Sequence, residues 1–304
     1  MRVRRIVFSV VPLLALSLAA CGGDDGGDGS AGASDTPAGD GVCATTDAVD
    51  DLLAQICEEG TLTVSTDAAY PPQSELNEQT GEFEGFDIDV ATEIANRLGV
   101  EVDFQTPPFE AVTAGNWNGR WDLSVGSMTI TNERAEVLFF TEPYYYTPAS
   151  VVVHEDNTDI VDLSTDLDGK KIGACTACSY VSFMNKDLNI EGFTFDFVID
   201  DPEITEYDTD TVALQDLALG DGTRLDAVIT SRTTADGFAV DNPVKIVGDP
   251  VFYEPLAAAV DKSSDADPAS FFEAVDSIVG EMHSDGTLTE FSEKWYDGVD
   301  LSVQ

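Results

Sequence analysis

The chain has 304 residues, 43% of them hydrophobic, with 58 acidic against 14 basic side chains and a formal net charge of −44. That apolar share is enough for one large core or two ordinary ones, which excludes disorder over most of the length. A surface this negative repels phosphates and anionic headgroups, so no nucleic acid partner is expected, and the acidity reads as a device for solubility.

Residues 1–20 read as a targeting segment. "MRVRR" is a basic leader and "IVFSVVPLLALSLAA" a short apolar run, too short and interrupted by Pro12 to span a membrane. The run ends in "LAAC", which matches the bacterial lipobox and makes Cys21 the expected site of diacylation. Two acyl chains anchor stably, so the membrane is contacted through the N-terminal diacylglycerol alone. Residues 21–42, rich in Gly, Asp and Ser, form a flexible tether. Whether export follows the general or the twin-arginine route is left open by Arg4-Arg5.

Four cysteines remain. An extracytoplasmic location favours disulfides, and of three connectivities the pairing taken is Cys43–Cys57 with Cys175–Cys178. A C-x-x-C before a helix also admits a redox-active thiol. Metal binding needs further ligands, and His154 and His283 do not supply a ligand-like spacing. No metal and no cofactor are expected.

A short helix is predicted within "TTDAVDDLLAQI". "GTLTVSTDAAYPP" is a strand running into a loop, and "GFDIDVATEIANRL" a helix from about Asp87 closed by Gly99. "VEVDF" is a strand; "PPFEAV" opens a loop and helix before the strand of "WDLSVGSMTIT". The pattern then restarts: "GKKIGAC", "FTFDFVI" and "RLDAVITS" as strands, "SYVSFMNKDL" and "TDTVALQDLALGDG" as helices. "EPLAAAVDK" is another strand, and the last stretch gives two helices broken at "SDGT". Alternating strands and helices define an α/β architecture with largely parallel sheets and a cleft at the strand ends.

"GFDIDVATEIANRL", "WDLSVGSMTITNERAEVLFFTEPYY", "LDGKKIGACTACS", "LDAVITS" and "DGTLTEFSEKWY" together resemble the family 3 extracellular solute-binding proteins, the polar amino-acid receptors of ABC importers. The resemblance covers about residues 58–299. It implies a two-lobed periplasmic-binding-protein-like fold of type II with two hinge crossovers: lobe 1 from 43–148 and 249–304, lobe 2 from 149–248. It further implies a monomer that binds a small carboxylated solute between the lobes and delivers it to ABC permease subunits at the outer face of the cytoplasmic membrane.

By the same resemblance Arg134 forks onto the ligand's carboxylate, a geometry that suits a planar guanidinium, although a structural salt bridge is the alternative. Ser127 and Thr129 complete the ligand contacts, Ser179 closes over the carboxylate from the second lobe, and Asp67 and Tyr70 belong to the first-lobe loop that meets the ligand side chain. Phe109 is either a second apolar wall or core. Ser231 also falls in the site, but there the family usually carries an aspartate for the α-ammonium, and Gln73 stands where an aromatic is usual. Either Asp67 or Glu110 supplies the missing acid, or the ligand lacks an ordinary α-amino group. An enzyme of the cyclohexadienyl dehydratase kind needs an acid/base residue over the substrate, which Ser231 does not provide. The other alternative, a sensor ectodomain, needs a signalling domain that does not follow "WYDGVDLSVQ".

Overall fold

The computed structural model describes residues 41–303. The targeting segment, Cys21 and the tether through residue 40 lie outside the described residues. Two short helices, α1 (Val42–Thr45) and α2 (Leu52–Glu59), lead into β1 (Thr61–Ser65). A small sheet of β2 (Ala69–Tyr70), β3 (Ser74–Leu76) and β4 (Phe83–Glu84) follows, then α3 (Phe86–Leu98), β5 (Glu101–Gln105), α4 (Phe109–Thr113) and β6 (Leu123–Thr129). After α5 (Arg134–Val137) and β7 (Leu138–Phe140) comes the long β8 (Tyr145–His154). Beyond it lie β9 (Lys171–Cys175), α6 (Ser179–Met184), β10 (Glu203–Tyr207), α7 (Asp210–Leu217), β11 (Ala227–Ser231) and α8 (Arg232–Ala239). The chain returns along β12 (Val244–Asp261) and ends in α9 (Ala269–Asp285) and α10 (Thr287–Trp295).

The main sheet runs β10-β9-β11-β8-β12-β6-β1-β5, with β7 paired to β12. Its wings are parallel, β1 with β5 and β6, and β9 with β10 and β11. The centre, where β8 and β12 cross the molecule, is antiparallel. These two strands serve both halves of the molecule. Tyr145 and Leu256 sit in a core built by α2, α3, α9 and β1, while Val151, Val153 and Phe252 sit in a second core under β9, β11 and α6. Two separate cores joined by two continuous strands are what a hinged, two-lobed molecule requires.

Local chemistry sets the elements that frame the cleft. On α3, Val90, Ala91, Ile94, Ala95 and Leu98 bury one stripe, as the helical period demands. Asp87 and Asp89 lie in its first turn, Arg97 in its last, and Gly99 ends it in the left-handed region at φ 88°, in keeping with the helix dipole and the usual C-terminal cap. Gly85, just before it, is held by crowding. A Cβ there would lie 2.2 Å from the Gln73 carbonyl oxygen, so this position fixes how closely the β2–β3 turn rests on the helix. The two disulfides are Cys43–Cys57 and Cys175–Cys178. The first ties α1 to α2.

One predicted strand is absent. Residues 193–199, "FTFDFVI", join no ladder, and the strand beside β9 is β10, ten residues later. Phe193, Phe195 and Phe197 do alternate as a strand face would, but the reward is packing: Phe195 sets its edge on Phe252 and Phe197 packs on Phe183. The predicted helix at "SYVSFMNKDL" also stops early, at Met184, with Lys186 in the left-handed region at φ 63°.

Candidate functional site

The cleft lies where the ends of β1, β6 and β9 meet β12. It is lined by Asp67, Tyr70, Phe109, Gly126, Ser127, Thr129 and Arg134 from the first lobe. From the second come Cys175, Cys178, Ser179, Tyr180, Asp208, Thr209 and Asp210, with Glu254 on the crossing strand. Its free cavity volume is only about 40 Å³, far below the range of open small-molecule sites, so the lobes are drawn close together over it.

Arg134 is the cation of this cleft. It opens α5, whose first turn is steadied by Thr131 Oγ1 accepting from the Arg134 backbone N–H at 3.2 Å. Its side chain is only 7% exposed. Nη1 donates to the Thr129 carbonyl and Nη2 to the Ala177 carbonyl across the cleft, each at 2.8 Å, and the guanidinium lies 5.3 Å over the Phe109 ring. Phe109 is therefore a half-buried wall of the cleft as well as a neighbour of the small Trp117 cluster. Burial pulls the Arg134 pKa down to about 10, which leaves it charged at neutral pH. None of the ion pairs among the described residues includes it.

The floor is Glu254, 2% exposed. Its Oε1 accepts from Thr129 Oγ1 at 2.7 Å and from Ser179 Oγ, and its Oε2 accepts from Tyr180 at 3.0 Å. Burial raises its pKa, against the pull of those hydroxyls and of Arg134. The hydroxyls of Thr129 and Ser179, expected to serve a ligand, thus serve an internal carboxylate in this structure.

Ser127 shapes the first-lobe wall by its backbone. It sits in β6 at φ 53°, a conformation few non-glycine residues adopt, beside the point where the register with β12 shifts. Such irregularities re-aim a strand. The turn is held from behind: Asp87 accepts from Ser127 Oγ at 2.7 Å and from Tyr144 at 2.8 Å, and Tyr144 in turn accepts the Ser127 N–H at 3.0 Å. Burial pushes the Asp87 pKa up to about 7.

Ser231 is placed elsewhere. Fully buried at the end of β11, it accepts from Gln73 Nε2 at 3.1 Å and caps α8 through the Thr234 N–H, and it does not line the cleft. Glu110 is exposed and outside this cleft as well. Asp67 does line it, with its Oδ1 holding the Ala69 N–H at 2.7 Å. Tyr180, Asp208, Asp210 and Glu254 are cleft residues that sequence reading passes over. Asp210 looks like an ordinary first-turn helix acid, and Glu254 like the polar flank of a strand before Pro255.

Among the described residues no cluster supports a metal centre. The sulfurs of Cys175 and Cys178 lie within 4.8 Å of an Asp210 oxygen, but the sulfurs are bonded to each other and offer no thiolate. His283 binds the Pro143 carbonyl and His154 ends β8, both away from this cleft.

A two-lobed α/β body with a buried polar cleft beneath two crossing strands defines a binding protein of the periplasmic type II fold. Residues 62–298 match the bacterial extracellular solute-binding proteins, family 3, and the chain belongs to that family. It is similar to the L-cystine-binding protein TcyJ of Escherichia coli K12, 28% identical over 83% of this chain and 88% of the relative. It is also similar to the probable amino-acid-binding protein YxeM of Bacillus subtilis, 31% identical over 79% and 84% respectively. Among solved structures, an ancestral arginine-binding protein bound to glutamine superposes with a TM-score of 0.66 at 33% identity, covering 78% of this chain and 98% of that one. These relatives are binding proteins, in line with a non-enzymatic reading.

Proposed function

We propose that this chain is the lipid-anchored receptor of an ABC importer for an amino acid or a close carboxylated relative. The observation that carries the reading is Arg134: a charged, buried guanidinium in an inter-lobe cleft, steadied by two backbone carbonyls and paired with no carboxylate among the described residues. Two N–H groups are spent on those carbonyls, and a guanidinium has five, so donors remain for a carboxylate that arrives from outside. The names of the relatives, which bind cystine, arginine or glutamine, favour the same class.

In this reading lobe 2, residues 149–248, folds toward the rest of the body, residues 43–148 and 249–304. Thr129, Ser179 and Tyr180 exchange Glu254 for the ligand, or hold both. Tyr70 and Phe109 bound the ligand's side chain. Cys21 carries the diacylglycerol, and the tether lets the closed receptor reach its permease as a monomer.

A thermal-shift screen of the L-amino acids, L-cystine, keto acids and dicarboxylates tests the proposal. Binding to the native state raises the melting temperature with the logarithm of concentration. At least one amino acid is expected to do so; a panel without any stabilising carboxylate overturns the reading.

A further inference from the structure

The cleft is richer in acid than an importer receptor's carboxylate seat requires. Asp67, Asp208, Asp210 and Glu254 line it against the single cation Arg134. Their oxygens are not equally committed. Both oxygens of Glu254 accept hydroxyl hydrogen bonds. Asp67 Oδ1 holds a backbone N–H, and Asp208 is exposed.

Asp210 differs from all three. It is 5% exposed, and its Oδ1 has no partner at normal hydrogen-bond length among the described residues, with the equally unpartnered Thr230 hydroxyl close by. A buried carboxylate oxygen without a donor costs free energy unless something completes it. The site at which the family's resemblance expects an acid is closed off, since Ser231 is bonded to Gln73 and Thr234 outside the cleft. Neither of those groups is free to meet a ligand cation.

We infer that Asp210 is the carboxylate that takes the primary ammonium group of the ligand, standing in for an acid at Ser231. The inference rests on the amino-acid reading of the cleft. It places the ligand between two oppositely charged groups, Arg134 on the first lobe and Asp210 on the second, so that only a molecule carrying both a carboxylate and an amine links the lobes. A keto acid or simple carboxylate satisfies one side and leaves Asp210 uncompensated.

Protons report on this. Burial, against the pull of the Thr230 hydroxyl and with Asp67 and Glu254 nearby, pushes the Asp210 pKa up to about 7. The groups facing it are Asp67 and Tyr70 from the first lobe, Tyr180 from α6, Glu254 from β12, Asp208 beside it and the Cys175–Cys178 disulfide. An ammonium group favours the ionised form, so binding at neutral pH expels a fraction of a proton, and affinity weakens as pH falls below 7.

The test is titration calorimetry on the full chain, first with the twenty L-amino acids and L-cystine, then with the des-amino carboxylic acid of whichever binds tightest. Wild type is expected to prefer the amino acid by at least ~30-fold, and Asp210→Asn to lose at least ~10-fold for the amino acid while binding the des-amino acid as before. Heats measured in buffers of different ionisation enthalpy should show proton release for wild type and none for Asp210→Asn. Equal loss of both probes marks a structural role, and unchanged amino-acid affinity marks no role; either overturns the inference while leaving the receptor standing. If no amino acid binds wild type, the amino-acid reading itself falls. Should Asp210→Asn fail to fold, the wild-type proton release and preference over the des-amino acid decide, absence of either being fatal.

Discussion

Gln73 Nε2 donates to Ser231 Oγ at 3.1 Å, so two positions singled out in the sequence, one on each lobe, are bonded to each other. The same nitrogen donates to Thr233 Oγ1 at 2.8 Å, and Thr234 Oγ1 reaches Gln73 Oε1. Gln73 lies in the turn of the first lobe, its carbonyl taken by the Asp87 N–H at 2.8 Å. Ser231, Thr233 and Thr234 lie at the β11–α8 junction of the second. Together these bonds form a latch between lobes.

Breaking that latch should therefore weaken closure. Gln73→Ala removes three neutral hydrogen bonds between lobes, a long one at 3.4 Å and two shorter ones, the shorter two contributing ~0.5–1.5 kcal/mol each. The expected result is a ligand affinity lower by about 5- to 100-fold, carried mainly by faster dissociation in stopped-flow traces. An unchanged dissociation rate means that Gln73 does not hold the closed form.

How much of this was legible before folding follows from which residues announce themselves. The stripe on α3 and its closing Gly99 show plainly because helix period and cap chemistry are local. Asp67, Tyr70, Phe109, Ser127, Thr129, Arg134 and Ser179 stand in motifs, and the structure gathers them in one cleft. Asp210 and Glu254 carry no such mark. An acid in a helix's first turn, or flanking a strand, is ordinary until tertiary packing strips it of water. The Gln73–Ser231 bond joins positions 158 apart in sequence, which no local pattern encodes. "FTFDFVI" misleads for the converse reason, since core packing alone can set an alternation.

Arg134 is expected to serve binding and folding together. Arg134→Ala deprives the Thr129 and Ala177 carbonyls of their donors and Phe109 of its cation, so unfolding free energy should fall by ~2–4 kcal/mol. Amino-acid affinity should fall by more than ~100-fold, as for loss of a charged partner in a dry site. Arg134→Lys keeps the charge but not the fork, and should restore stability more than affinity. Calorimetry on the folded fraction separates the two effects. Full affinity in Arg134→Ala excludes carboxylate capture there.

The two disulfides should dissociate stability from binding. Cys43–Cys57 spans 14 positions and lines no part of the cleft; replacing both by serine should cost about 3 kcal/mol by loop entropy and leave affinity unchanged. Cys175–Cys178 closes a far smaller loop, worth ~2 kcal/mol on the same account, but it lines the cleft and holds the Ala177 carbonyl toward Arg134. Cys175→Ser with Cys178→Ser should therefore cost less stability and more affinity, roughly 3- to 30-fold. Denaturant titrations and binding curves on both double variants decide it, and the reverse ranking refutes it.

Asp87 gives the clearest dependence on pH. Its folded pKa is raised by burial to about 7 from the ordinary 3.8, so the folded state holds a proton that the unfolded state releases earlier. The stability this contributes is fully present below about pH 4 and is lost as pH rises through about 7, at up to ~1.4 kcal/mol per pH unit. Asp87→Asn cannot ionise and keeps one acceptor and one donor for Ser127 and Tyr144, whose hydroxyls can reverse their roles. The many surface acids titrate alike in both proteins and cancel in the difference. Denaturant midpoints at half-unit steps from pH 4 to 8 should show the variant gaining on wild type steadily toward pH 7 and then holding its advantage. A difference that is flat across that window means Asp87 is ionised in the folded protein throughout, with Ser127 and Tyr144 together outweighing its burial.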